Sequence, residues 1–272
     1  MTASVSDDVA LHPVEVDLLC TFAEVEPPFP LEIPDTGRTD AERALMFRGA
    51  REQLTGRGLA DGEGPLGLAD EFVHLLRFGS GVLDLMVAEE KTTVAAVVLV
   101  DRGDALIVVQ RAADPFGTVL LRQTSLDDAV EELMRIIPRL DAAQTTPFTL
   151  PRKALQSAFD AMIADLPTDD DTRPRRLGPQ QVEEILTRHG VADRVSRRMV
   201  QYMQPVLGNG QAGVARRSGP HEDWDRAGEE IRWLDTEHGR YQLAGDGDWM
   251  SVNPLAPEEI RSSLRKLAAV LR

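Results

Sequence analysis

Cysteine is all but missing from this chain: Cys20 stands alone, so no intramolecular disulfide can form and a cysteine-built structural zinc site is not expected. Lysine is nearly as scarce. Lys91, Lys153 and Lys266 are the only three, and arginine supplies the rest of the 30 basic residues. A GC-rich genome accounts for that bias, as does an interface rich in arginine, a residue enriched at binding hot spots. Long apolar runs are absent too. The longest, Val94 to Val100, falls far short of the ~20 residues needed to cross a bilayer, so no membrane insertion is expected. Met1 to Asp8 has neither a basic nor an apolar stretch of the kind found in a secretory signal, which points to the cytoplasm.

What is present describes an ordinary globular protein. The 272 residues are 42% hydrophobic and 28% charged, enough to bury one large core or two small ones. The formal net charge of -15 argues against nucleic acid as a partner, because neutralising phosphates requires cationic side chains. It disfavours anionic membrane surfaces for the same reason. Arginines cluster locally at Arg173, Arg175, Arg176, Arg194, Arg197 and Arg198, which leaves room for a patch that meets an acidic protein.

Periodicity predicts a repeated order of elements. Residues 1–12 read as loose, and Val14 to Phe22 as either strand or helix. Pro27, Pro28, Pro30 and Pro34 then forbid regular structure. Thr39 to Leu54 is predicted helical, with Ala44, Leu45, Phe47 and Leu54 on its apolar face, and Leu68 to Phe78 is a second helix. Strands follow over Leu83–Ala88, Thr93–Asp101, Asp104–Gln110 and Thr118–Gln123. Asp101-Arg102-Gly103-Asp104 makes the tight turn between the middle two. A helix from Leu126 to Leu140 opens on Ser125 and Asp128, the spacing of a capping box. The second half offers helices at Pro179–His189 and Ala192–Val206. Strands follow at Ala212–Arg216, Ile231–Leu234, Arg240–Leu243 and Trp249–Val252, then a closing helix from Pro257 to Leu271. Adding 130 to the first numbering lays Val119 on Trp249, Val130 on Ile260, Met134 on Leu264 and Ile137 on Leu267. Two halves, 13–165 and 178–272, are therefore expected in one integrated domain. A connecting helix at Lys153–Ala164 and a linker at 166–177 lie between them, and the strands share a central antiparallel sheet.

Motifs of catalysis are missing. Gly62, Gly64, Gly67 and Gly208, Gly210, Gly213 spell the dinucleotide-binding pattern, yet each follows a helix rather than a strand, so they read as connectors. His12, His74, His189, His221 and His238 show no metal-ligand spacing, and Gly79-Ser80-Gly81 is not a nucleophile elbow. Asp169 to Asp171 lacks the glycine and glutamate of a calcium loop. No cofactor, metal or catalytic residue is expected. A carboxylate pair without a spelled motif, or a regulatory domain docking an acidic partner, are the competing readings.

The C-terminal third carries a recognisable signature. Trp233-Leu234-Asp235-Thr236-Glu237-His238-Gly239-Arg240-Tyr241 and Trp249-Met250-Ser251-Val252-Asn253-Pro254 resemble segments of the EspG family, and the order of elements agrees from about residue 12 onward. The resemblance implies an α+β, quasi-twofold fold with a central antiparallel sheet flanked by helical bundles. It also implies a cytosolic, non-enzymatic chaperone that binds the PPE tip of PE–PPE heterodimers and directs them to a type VII (ESX) secretion system. In physical terms, Asp235-Thr236 is expected to cap a turn, Gly239 to supply its positive φ, and Tyr241 and Trp249 to face each other or the core. Two partner-binding surfaces are expected. One is a methionine-containing helical stripe of Met199, Tyr202, Met203, Val206 and Leu207, although such a stripe is more often core; the other is the hairpin tip Arg102-Gly103-Asp104, which an ordinary solvent-exposed turn would explain equally. A weak homodimer of the free chain stays open.

Overall fold

The computed structural model describes residues 8–157, 179–191, 197, 199, 201–220, 222–245 and 247–272. Its contacts divide the chain into two compact units that interleave in sequence. The first takes Met1–Pro138, Gly210–Glu230 and Arg261–Arg272; the second takes Arg139–Asn209 and Ile231–Ile260.

The first unit begins with strand β1 (Val9–Leu11), inside the segment expected to be loose. Helix α1 (Pro13–Ala23) follows, resolving the ambiguity over Val14–Phe22. Proline at its first position needs no N–H there. The His12 ring nitrogen accepts from the Val14 N–H at 3.3 Å, and the Glu15 carboxylate accepts from the His12 N–H at 2.8 Å. Val16, Leu19, Cys20 and Ala23 then fall on one buried helical face. Burial pushes the Cys20 thiol up to about 12, which leaves it unreactive at neutral pH.

The proline-rich stretch beyond α1 satisfies its backbone through side chains. Asp17 accepts from the Thr36 N–H at 2.9 Å and from Arg43 at 2.9 Å. The Gln110 amide accepts from the Glu32 N–H and donates to the Glu32 carbonyl, at 2.8 and 2.9 Å, as a neighbouring strand would. Helix α2 (Asp40–Gly56) is capped by Thr39, whose side chain accepts from the Glu42 N–H. Its apolar face differs from the expected one. Ala50 and Leu54 are buried, whereas Ala44 is exposed and Leu45 is 66% exposed. Only a narrow strip of this helix meets α1, so the helical period located the helix without locating its inner side.

Helix α3 (Leu68–Phe78) has the expected bounds, with Phe72, Leu75 and Leu76 buried. Strands β2 (Gly81–Glu89), β3 (Thr92–Asp101), β4 (Asp104–Arg111) and β5 (Val119–Thr124) form successive antiparallel ladders, and β1 pairs on β5. Val94 to Val100 is continuously buried because helices cover both faces. Ala95, Val97 and Leu99 join the core beneath α1 and α3. The alternate residues face α4 (Leu126–Ile136), which packs on β3 and β4. That helix is capped by Ser125, as its spacing predicts, but ends short of Pro138 rather than at Leu140.

Strand β7 (Val206–Arg216) lies beside β2, and β8 (Asp225–Thr236) beside β7. Gly208, Gly210 and Gly213 sit within β7 and are not connectors. Asp84, buried on β2, pairs with Arg226 of β8. Burial outweighs that pairing and raises the Asp84 carboxyl above the usual range. The folded chain therefore holds this proton more tightly than the unfolded chain. Asp84's contribution to stability is complete below the ordinary carboxylate pKa and is lost as pH rises through the raised one. The Asp84→Asn variant, neutral throughout, is expected to gain on the natural protein as pH rises from acid toward neutral. Denaturant titrations across that range check this, and a pH-independent difference would refute it.

The second unit contains β6 (Phe148–Pro151), α5 (Pro179–Arg188), β9 (Gly239–Ala244), β10 (Trp249–Pro254) and the start of α6 (Pro257–Val270). Its strands run in the order β8-β9-β10-β6, around a core that includes Leu150, Leu186, Leu234, Tyr241 and Val252. The first part of the expected connecting helix is helical over 152–157. The rest of that helix, the linker 166–177 with its arginines and Asp169–Asp171, and residues 192–196, 198 and 200 of the expected helix at 192–206 lie outside the described residues.

The pairing order repeats along the chain: β1-β5-β4-β3-β2 in the first half and β6-β10-β9-β8-β7 in the second. β5 and β10 coincide when 130 is added, and Val130 and Ile260 are both buried in their helices. The fold is α+β, built on a large antiparallel sheet with a quasi-twofold strand order.

Candidate protein-binding surface

The signature hairpin β8–β9 is a buried structural element. The Arg240 guanidinium donates to both oxygens of Asp235, at 2.5 and 2.7 Å, and the two side chains are only 1% and 7% exposed. Trp233, itself buried, lies with its ring centroid 5.7 Å from the guanidinium. Turn capping belongs to Thr236 alone. Its hydroxyl accepts from the His238 N–H at 3.1 Å and donates to the Gly239 carbonyl at 2.9 Å. Asp235 does not cap the turn as expected, because its carboxylate is committed to Arg240.

Gly239 has φ 109° and permits the chain at 141–143 to pass against it. Arg240 N–H donates to the Asp141 carbonyl, and the Ala143 N–H donates to the Arg240 carbonyl. Tyr241 is fully buried, but Trp249 is 63% exposed, so the two do not share the core. The reason is strand alternation: Met250 and Val252 turn inward on β10, which turns Trp249 outward.

The expected stripe does not form a surface. Met199 and Met203 are buried in the second unit's core, with Tyr202 and Val206 packed partly buried against it. Val206 and Leu207 belong to strand β7 rather than to a helix, since residues 203 to 205 leave the helix before the strand begins. Of the five residues, Leu207 alone is exposed.

The hairpin tip fares differently. Arg102, Gly103 and Asp104 are all exposed, with φ 47° at Arg102 and 104° at Gly103, and Asp101 lies directly opposite Asp104. The tip closes a hairpin whose body is buried on both faces, so its chemistry is presented on a rigid support.

Sequence reasoning passed over the opposite end of β4. There Phe116 is 71% exposed on the turn to β5. Asp114 fixes that turn by accepting from the Phe116 and Thr118 N–H groups, each at 3.0 Å. Hydrogen bonds, that from the Thr118 side chain first, hold its carboxyl below the usual range. An Asp two residues before an aromatic in a glycine-containing loop was the available signal.

Among the described residues, no group of three or more histidine, cysteine or acidic side chains could hold a metal ion. None of their helices is long and apolar enough to cross a membrane. No curated protein matches the sequence significantly. Among solved structures, the Mycobacterium tuberculosis type VII secretion system chaperone EspG5, in complex with the PE25-PPE41 dimer, shares the fold. Its TM-score is 0.63 at 9% identity, with 97% of each chain covered. The EspG family model matches residues 12–266, nearly the whole length, and the chain belongs to the EspG family.

Proposed function

We propose that this chain is a cytoplasmic chaperone that binds a PE–PPE heterodimer, keeps it soluble and delivers it to a type VII (ESX) secretion system, without catalysis of its own. The observation that carries this reading is family membership over residues 12–266. The fold shared with EspG5, a chaperone seen with a PE–PPE dimer, supports it. The physical rationale is direct: an exposed apolar tip on a client self-associates in water, and a partner that covers it prevents this. An interface of roughly 1,600 Å² with a few well-buried anchors suffices for stable binding.

Within this reading the exposed tip Arg102-Gly103-Asp104 and the exposed Leu207 contact the client. Co-expression with the PE–PPE pair encoded nearest, followed by size-exclusion chromatography, tests the function. The expected result is one three-protein peak, and a pair that aggregates when this chain is left out. Failure of any such pair to associate sinks the chaperone reading. The surface is tested separately. Arg102→Glu combined with Asp104→Arg inverts the tip's charges, and affinity is expected to fall about tenfold with an unchanged melting temperature. Unchanged affinity removes the tip from the interface.

A further inference from the structure

A second surface lies in the first unit, where Ala23–Phe29, the end of α3 and the loop after β7 enclose a cleft of about 480 Å³. That volume falls within the roughly 300–1,000 Å³ of ordinary binding sites. Three aromatic side chains are displayed around it: Phe29 at 53% exposure, Phe78 at 47% and Trp224 at 38%. Large aromatics left in contact with water around one concavity are uncommon in a free-standing surface and typical of recognition sites.

The cleft is built rather than accidental. Arg217 is buried beneath it and donates to the Gly79 and Leu76 carbonyls, both at 2.7 Å, and so ties the loop after β7 to the end of α3. Its guanidinium also lies 4.3 Å from the Trp224 ring centroid, which orients that indole along the cleft wall. Arg217 is thus committed to internal partners. Arg77 lies against the Phe78 ring and Arg226, paired with Asp84, against the Phe29 ring, each at 5.6 Å. Four exposed acidic residues, Glu24, Glu26, Glu222 and Asp223, also line the cleft.

We infer that this cleft docks a protein segment whose apolar side chain seats among Phe29, Phe78 and Trp224 while flanking arginine or lysine residues meet the four carboxylates. Charge complementarity selects this occupant. The four carboxylates outnumber the cleft's Arg77, so an acidic segment would be repelled on balance, and a purely apolar one would leave the carboxylates with nothing to pair. The surface is formed within the first unit and does not depend on the chaperone reading.

The test uses the full chain and two synthetic peptides that share a leucine–phenylalanine core. One is flanked by arginines and the other by glutamates, and binding is measured by isothermal titration calorimetry. The arginine peptide is expected to bind at least about tenfold more tightly than the glutamate peptide. Trp224→Ala and Phe78→Ser, both at exposed positions, are each expected to weaken it severalfold with an unchanged melting temperature. Glu222→Arg combined with Asp223→Arg is expected to reverse the preference. Equal binding of the two peptides, binding of neither, or indifference to the aromatic substitutions overturns the proposal. So does self-association of the free chain that Trp224→Ala abolishes, since the occupant would then be a second copy.

Discussion

Replacing Asp235 with alanine is expected to lower stability by about 3–5 kcal/mol, the range seen when one partner of a buried ion pair is removed. The size of the effect follows from burial. Asp235 and Arg240 side chains are 7% and 1% exposed, so the guanidinium left behind loses its carboxylate in a place where water cannot replace it. A surface pair treated the same way, such as Glu131 with Arg265, 39% and 64% exposed, is worth at most about 1 kcal/mol. The double change Asp235→Leu with Arg240→Met removes both charges together and is expected to recover most of the loss, because the cost lies in an unmatched charge rather than in a missing attraction. Urea titrations of the natural protein, the single variant and the double variant make the comparison. If the double variant is no better than Asp235→Ala, the pair contributes mainly through packing.

Much of the first unit was legible because its elements carry their own local signals. Leu68–Phe78 keeps its apolar residues at helical spacing, and Asp101 to Asp104 is a turn between two apolar runs, so both emerge within a residue of their observed bounds. β1 and β6 left no such trace. Val9–Leu11 and Phe148–Pro151 are three and four residues long, and each becomes a strand only by pairing with a distant partner, β5 or β10. Length that short carries no period to detect.

Faces were harder to read than elements. Met199 and Met203 are one helical turn apart, and that spacing holds equally for a buried strip and for an exposed one. Leu45 illustrates the reverse error, an apolar residue at helical spacing that points to water. Trp249 could have been placed correctly, since Met250 and Val252 already claim the inner face of β10 by alternation. The Asp235–Arg240 pair could not. An acid and a base flanking a turn are usually solvated, whereas here Trp233 packs against the guanidinium and the chain at 141–143 bonds to the Arg240 backbone. Of the two expected surfaces, then, the hairpin tip is exposed, and the stripe packs on the core except for Leu207.

The close passage of 141–143 makes Gly239 the most sensitive backbone position in the hairpin, and Gly103 supplies the control. Both are glycines with strongly positive φ, 109° and 104°, so alanine at either is expected to cost about 1–2 kcal/mol for the left-handed backbone. Their surroundings differ. A Cβ on Gly103 would meet nothing within 4 Å, whereas one on Gly239 would stand 2.7 Å from the Ala143 backbone N and Cα and 2.8 Å from the Asp141 carbonyl oxygen. Those are backbone atoms, which cannot rotate aside as a side-chain tip can. Overpacking of this kind adds about 1–3 kcal/mol, so Gly239→Ala is expected to lose about 2–5 kcal/mol in total. Denaturant midpoints measured side by side decide the matter. Equal losses at the two positions would mean that the 141–143 segment gives way freely and that its close approach to the hairpin counts for little.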